Sequence, residues 1–155
     1  MRAIFIPAAA LVLVAALSNS SAAEDKMTDE QSILKTIETM TTAFARGDIE
    51  AIMQTYESDA VVMAGPAQPA TGSKELREMF AKFVASGVNF TYGGHEVVVS
   101  GDIGLHLMQW SAPTPDGPMS ALSVAVLRRQ ADGSWKMVID HPFGDGVMKA
   151  AIDQP

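Results

Sequence analysis

The chain contains no cysteine. That excludes disulfide staples, thiol nucleophiles, Cys-based metal sites and a lipidated N-terminal cysteine, and leaves packing alone to hold a domain together. Basic residues are also scarce. Eleven Lys and Arg stand against 18 Asp and Glu, for a formal net charge of −7, and no basic cluster or stripe occurs anywhere. A nucleic acid or an anionic membrane would meet no complementary patch on such a chain. Aromatic residues make up only 6%, so a core must lean on aliphatic side chains and methionine.

The longest apolar run, Ala3 to Leu17, follows a lone Arg2 and precedes Ser18-Asn19-Ser20-Ser21-Ala22-Ala23. This succession of charged, apolar and small residues is that of a secretory signal peptide, with Ser21 and Ala23 as the small residues before the cut. The run is shorter than the ~20 residues of a bilayer span, and Pro7 interrupts it. We therefore expect a signal peptide over residues 1–23, one domain over residues 24–155, and a periplasmic or secreted product without membrane attachment after cleavage.

Periodicity then places helices before strands. Thr28 and Gln31 form a capping-box pattern, and Ile33, Leu34, Ile37, Met40 and Phe44 recur at helical spacing until Gly47. Asp48 can cap a second helix whose Ile49, Ile52, Met53 and Tyr56 share a face. Ala60 to Ala64 reads as a short strand, and Gly65 to Gly72, with two prolines, as loop. Ser73 is positioned to cap a third helix ending at Gly87. From Val88 the period becomes that of strands: Asn89 to Val99 with a bulge or bend at Gly93-Gly94, Ile103 to Ala112, Met119 to Gln130 and Ser134 to His141. The expected class is α+β: a curved antiparallel sheet forming a cone, covered by three N-terminal helices.

The last strand drives Asp140 and His141 into the end of an apolar sheet. Alternation buries one face, so at least one of them points into a core or cavity, where an unpaired polar group is costly. Together they can act as a proton-transfer pair; the structural alternative is a histidine bonded to backbone and an aspartate capping a turn. Adjacent strand residues face opposite ways, so both enter one cavity only if Pro142 ends the strand there. Tyr56, His106, Trp110 and Met40 are candidate ligand-binding residues. His106, Met108 and Trp110 share one strand face, suited to a pocket or dimer surface, while Ile103, Leu105, Leu107 and Gln109 share the other, whose aliphatic members suit continuous packing. The set Met40, Met53, Met63, Met79, Met108 and Met137 suits an adaptable apolar pocket or ordinary core filling. The histidine spacings match no familiar ligand pattern, so no metal is expected.

Several of these segments, in order, resemble the SnoaL-like branch of the nuclear transport factor 2-like superfamily. They are Ala43-Phe44-Ala45-Arg46-Gly47-Asp48 with Ile49 to Tyr56, Asp59-Ala60-Val61-Val62, Gly65 to Gly72, Ser100-Gly101-Asp102, and Asp132-Gly133-Ser134-Trp135 through Asp140-His141-Pro142. The resemblance implies a pocket between the concave sheet face and the helices, and a homodimer through the sheet's other face. It also implies a loss. The position matching the general base of ketosteroid isomerases is Ala64, and that of their oxyanion-stabilising tyrosine is Met40, so steroid isomerisation is not expected. Two functions remain. One is cofactor-independent acid/base chemistry of isomerase, dehydratase or cyclase type on a small, mostly apolar carbonyl or hydroxyl compound. The other is a ligand-binding or dimerisation module without turnover.

Overall fold

The structure is a computed structural model describing residues 27–65 and 67–149; the expected signal peptide lies outside them. Its elements are α1 (Asp29–Arg46), α2 (Ile49–Gln54), β1 (Tyr56–Gly65), β2 (Gln68–Thr71), α3 (Gly72–Ala85), β3 (Thr91–Ser100), β4 (Ile103–Thr114), β5 (Gly117–Arg129), β6 (Trp135–His141) and α4 (Gly146–Lys149). The strands form one curved, unclosed sheet in the order β2-β1-β6-β5-β4-β3. Among the described residues no helix is long and apolar enough to cross a membrane.

Local chemistry sets the helices. The Thr28 hydroxyl accepts from the Gln31 N–H at 3.2 Å while the Gln31 side chain accepts from the Thr28 N–H at 2.8 Å, closing the capping box of α1. Gly47, at φ 70°, ends α1 in the left-handed region. Asp48 then caps α2 through the Ala51 N–H at 3.0 Å. Ile33 and Ile37 of α1 and Leu76, Met79 and Phe80 of α3 are buried in the main core, which also holds Leu127, Trp135 and Met137. Arg129 ties α1 to the sheet by pairing with Asp29 and lying 4.7 Å over the Trp135 ring. Gly104 is required where α1 crosses the sheet. A Cβ there would lie 2.4 Å from the Ile33 Cδ1 atom.

Four features correct the sequence reading. Gln68–Thr71, expected as loop, pairs antiparallel with β1; it is an edge strand, the one place where Pro69 can sit without breaking a ladder. The sheet is not wholly antiparallel, because β1 runs parallel to β6, with Val61 opposite Ile139 and Val62 opposite Asp140. Tyr56 begins β1 instead of closing α2: Thr55 caps α2, and the Met137 N–H donates to the Thr55 carbonyl at 2.9 Å, drawing the chain into the sheet. Thr71, not Ser73, is the cap of α3, and the Ser73 hydroxyl donates instead to the Ser58 carbonyl at 3.1 Å.

Register decides which side chains face the helices. His106, Met108, Trp110 and Ala112 of β4 are buried opposite Ala125, Ser123, Ala121 and Met119 of β5. The aliphatic set takes the outer face, contrary to its expected role in continuous packing: Ile103 is exposed and Leu105 and Leu107 are only half-buried. Among the described residues the helices cover the opposite face, and none packs over the aliphatic set.

Candidate active site

A cavity of about 270 Å³ lies between the inner sheet face and the helices. Its walls are aromatic and methionine-rich. Phe90 meets Phe44 and Trp110 edge-on with ring centres 5.5 and 5.2 Å apart, and Trp110 meets Phe143 at 5.6 Å. The Trp110 indole N–H donates to the Pro142 carbonyl at 2.6 Å, fixing the segment that follows β6 against the cavity. The volume falls just under the range of roughly 300–1,000 Å³ usual for small-molecule sites, so an occupant must be small.

One part of this apolar wall is polar. The buried Asp140 carboxylate accepts from the Tyr56 hydroxyl at 2.7 Å through Oδ2, and from the Ser123 hydroxyl at 3.5 Å through Oδ1. Burial raises the Asp140 pKa above its ordinary value; the hydrogen bonds from Tyr56 and Ser123, and then His141, pull the other way. Burial likewise raises Tyr56, reinforced by the Asp140 charge, so Tyr56 stays a donor. Tyr92, also on the cavity wall, is pushed up to about 12 by burial and then by Asp140. The site therefore offers a carboxyl group primed to take up a proton, with two neutral phenols and a serine hydroxyl nearby.

A bulge aims Asp140 inward. Trp135 and Met137 face the core, and strict alternation would continue with Ile139 and His141 inward and Asp140 outward. Between the pairs Leu127–Met137 and Val126–Ile139, however, β6 carries one extra residue, Val138, which reverses the parity. Asp140 then faces the cavity opposite Ala125, and His141 faces away opposite Val124. The His141 Nδ1 atom accepts from the Phe143 N–H at 3.2 Å. Asp140 and His141 are thus not brought into one pocket as a proton-transfer pair.

The other sequence candidates divide. Tyr56, Trp110 and Met40 line the cavity. His106 does not; it is 1% exposed, and among the described residues neither ring nitrogen has a hydrogen-bond partner. Burial, helped by the nearby His95, lowers its pKa from 6.5 to about 4. The folded protein thus keeps His106 neutral where the unfolded chain would protonate. Its contribution to stability is fully present above pH 6.5 and lost as pH falls toward 4, an effect of roughly 3 kcal/mol. His106→Leu is expected to flatten this acid-side loss, and to raise stability at neutral pH by about 1–3 kcal/mol because two unpartnered nitrogens leave the core; urea midpoints between pH 7 and pH 4 measure both.

Sequence reasoning missed Ser123, Tyr92 and the phenylalanines of the wall. Ser123 carried a usable signal: it is the polar member of the inward series Ala121, Ser123, Ala125, Leu127, and once β5 is registered against β4 it must sit beside Met108.

Comparison with known proteins places this geometry. A SnoaL-like domain model matches residues 37–138. Among solved structures, a nuclear transport factor 2-like protein of unknown function from Pseudomonas putida is 23% identical with a TM-score of 0.65, over 81% of this chain and 95% of that one. A ketosteroid isomerase-like protein from Erwinia carotovora is 26% identical with a TM-score of 0.58, over 74% and 95%. A nuclear transport factor 2-like protein with a cystatin-like fold from Novosphingobium aromaticivorans is 19% identical with a TM-score of 0.63, over 81% and 90%. Comparison with the curated proteins finds no match. The matched residues run from within α1 into β6, ending two residues before Asp140, and take in most of the cavity's lining: the chain belongs to the SnoaL-like domain family.

Proposed function

We propose that this domain is exported and binds a small, mostly apolar molecule bearing one carbonyl or hydroxyl group, and that Asp140 exchanges a proton with it without a cofactor. The observation that carries this reading is the buried Asp140–Tyr56 pair on the wall of an otherwise apolar cavity. A carboxylate whose pKa is raised by burial is a stronger base; it can remove a proton from carbon or hydroxyl and return it elsewhere on the same molecule, which suits isomerase- or dehydratase-type chemistry. Tyr56 is a positioning residue, because its hydroxyl is engaged with Asp140. The competing reading is a binding module without turnover, favoured by alanine at position 64 and methionine at position 40.

The test begins with native mass spectrometry of protein purified from the periplasm, where a co-purifying small molecule is expected. The fluorescent probe 2-naphthol, an aromatic body with one hydroxyl, should bind the emptied cavity. Ala112→Leu, which fills space beside Trp110, is expected to abolish probe binding while leaving the melting temperature within a few degrees of wild type. Undiminished binding by this variant would place the ligand elsewhere. Binding that is lost in Ala112→Leu but indifferent to Asp140→Asn would favour the non-catalytic reading.

The outer sheet face supports a homodimer as part of the same proposal. Val98, Leu105, Val126 and Ile139 lie in one cross-strand row over four strands, and Val98 and Ile139 are about half exposed. A contiguous aliphatic row on a sheet with one solvated face is the kind of surface a second copy covers. Ile139→Glu, at a position already half exposed, is expected to halve the mass seen by light scattering with little change in thermal stability. A wild-type monomer at the same concentration would refute the dimer.

A further inference from the structure

A second cluster on the same sheet face adjoins the cavity and shares Met108 with its wall. Between the pairs Tyr92–Trp110 and His95–Met108, β3 carries one extra residue at Gly93-Gly94. This bulge turns both Tyr92 and His95 inward despite their odd spacing. His95 therefore stands directly across from Met108, and His106 lies two residues before Met108 on the same face of β4. The His95 and His106 ring centres are 5.9 Å apart, with the rings inclined at 51°. Above them α1 and β3 border an open groove of about 880 Å³, lined by His95 and Met108 together with Ile37 and Leu34. His95 and Met108 thus line a solvent-reached groove, His106 is buried beside His95, and among the described residues neither His106 nitrogen has a hydrogen-bond partner.

We propose that His95, His106 and Met108 form a binding site for one soft monovalent cation, Cu(I), beneath the groove between α1 and β3. A metal bonded at ~2.0–2.1 Å to one nitrogen of each ring lies roughly 3.2 Å from each ring centre, so rings 5.9 Å apart can share one ion at an open angle of about 135°. That angle suits a low-coordinate ion with room for a third donor. The donor set is neutral and includes sulfur, which selects Cu(I) over hard cations. Among the described residues no three His, Asp or Glu side chains converge on a metal-sized site, so a dication buried here would lack the anionic ligand that compensates its charge. Coordination would also occupy one of the two orphaned nitrogens of His106, which otherwise stand as an unexplained cost. The histidine spacings in the sequence conceal this arrangement, because strand register and the glycine bulge create it.

The test is an anaerobic titration of the purified chain against the coloured Cu(I)–bicinchoninate complex. One equivalent of Cu(I) should be withdrawn per chain. His106→Leu and Met108→Leu should each weaken binding tenfold or more. Met148→Leu, a highly exposed methionine far along the chain in α4, should leave it unchanged. His106→Leu is expected to be folded and more stable than wild type without metal, so its loss of binding cannot be ascribed to unfolding. No withdrawal of Cu(I), or equal withdrawal by wild type and both site variants, overturns the proposal. Tighter binding of Zn(II) that is indifferent to Met108→Leu also overturns it, because the thioether would then not be a ligand.

Discussion

Asp140→Asn is expected to lower turnover by roughly 100-fold or more, the usual scale of lost acid/base catalysis, while the protein stays folded and gains stability at neutral pH. Both halves follow from burial. The native carboxyl has a pKa raised above the value near ~3.9 that it would have in an unfolded chain, chiefly because its charge is desolvated. The native state therefore binds the proton more tightly than the unfolded state does. Stability is greatest below the unfolded pKa and declines as pH rises through the higher folded one. An asparagine of the same shape carries no charge to desolvate, and its amide oxygen still accepts from Tyr56. Urea unfolding followed from pH 3 upward should show a smaller loss with rising pH in the variant, in parallel with the activity assay or, before a substrate is known, with 2-naphthol affinity. If Asp140→Asn instead unfolds the protein and leaves function in the surviving fraction intact, Asp140 is structural.

The two buried titratable groups of the inner face thus have opposite signatures. His106, depressed by burial, withdraws stability as pH falls toward 4. Asp140, raised by burial, withdraws it as pH climbs. Neither is the arrangement that packing alone would favour, since an apolar residue at either position would escape the penalty. Polar groups kept in the interior at such cost point to use, and the two lie in different places: one on the cavity wall, one under the groove.

How far the sequence foretold this depends on the kind of feature. The bounds of α1 and the start of α2 are legible because caps are local: Thr28 with Gln31, Gly47 and Asp48 all act where their types suggest, whereas Tyr56 and Ser73 are drawn into other roles by the sheet. The α+β class and the four long strands were legible from period. Strand parity across a bulge was not. Asp140 and His141 look equivalent in the sequence, and only the extra residue at Val138 decides which of them meets the cavity. The parallel β1–β6 pairing is a long-range choice between strands some eighty residues apart, and it alone sets Tyr56 close enough to donate to Asp140. Gly93-Gly94 was recognised as a bulge or bend, yet its consequence, His95 turned toward His106, needed the register with β4.

Leu127→Ala should show how sharply the inner face is divided. Leu127 is fully buried opposite Gly104, within the cluster that holds Ile33, Trp135 and Met137. Gly104 admits the Ile33 side chain to within contact of the backbone, so no slack remains there for neighbours to collapse into a void. The loss should therefore fall in the range of about 2–5 kcal/mol typical of leucine truncation in a core, a large share of the 5–15 kcal/mol that usually holds a domain. Differential scanning calorimetry should register this as a melting temperature lower by roughly 10 °C or more. Ala112→Leu, on the same sheet but beside Trp110, should do the reverse and cost little stability while removing the cavity. If both variants lost stability equally, the space beside Trp110 would be filled core and the proposed ligand site would not exist. If neither did, α1 would not be seated on Leu127 as its packing requires. The expected contrast is between a tight half that carries stability and a hollow half that is free to hold the proposed ligand, both on one small sheet without disulfides.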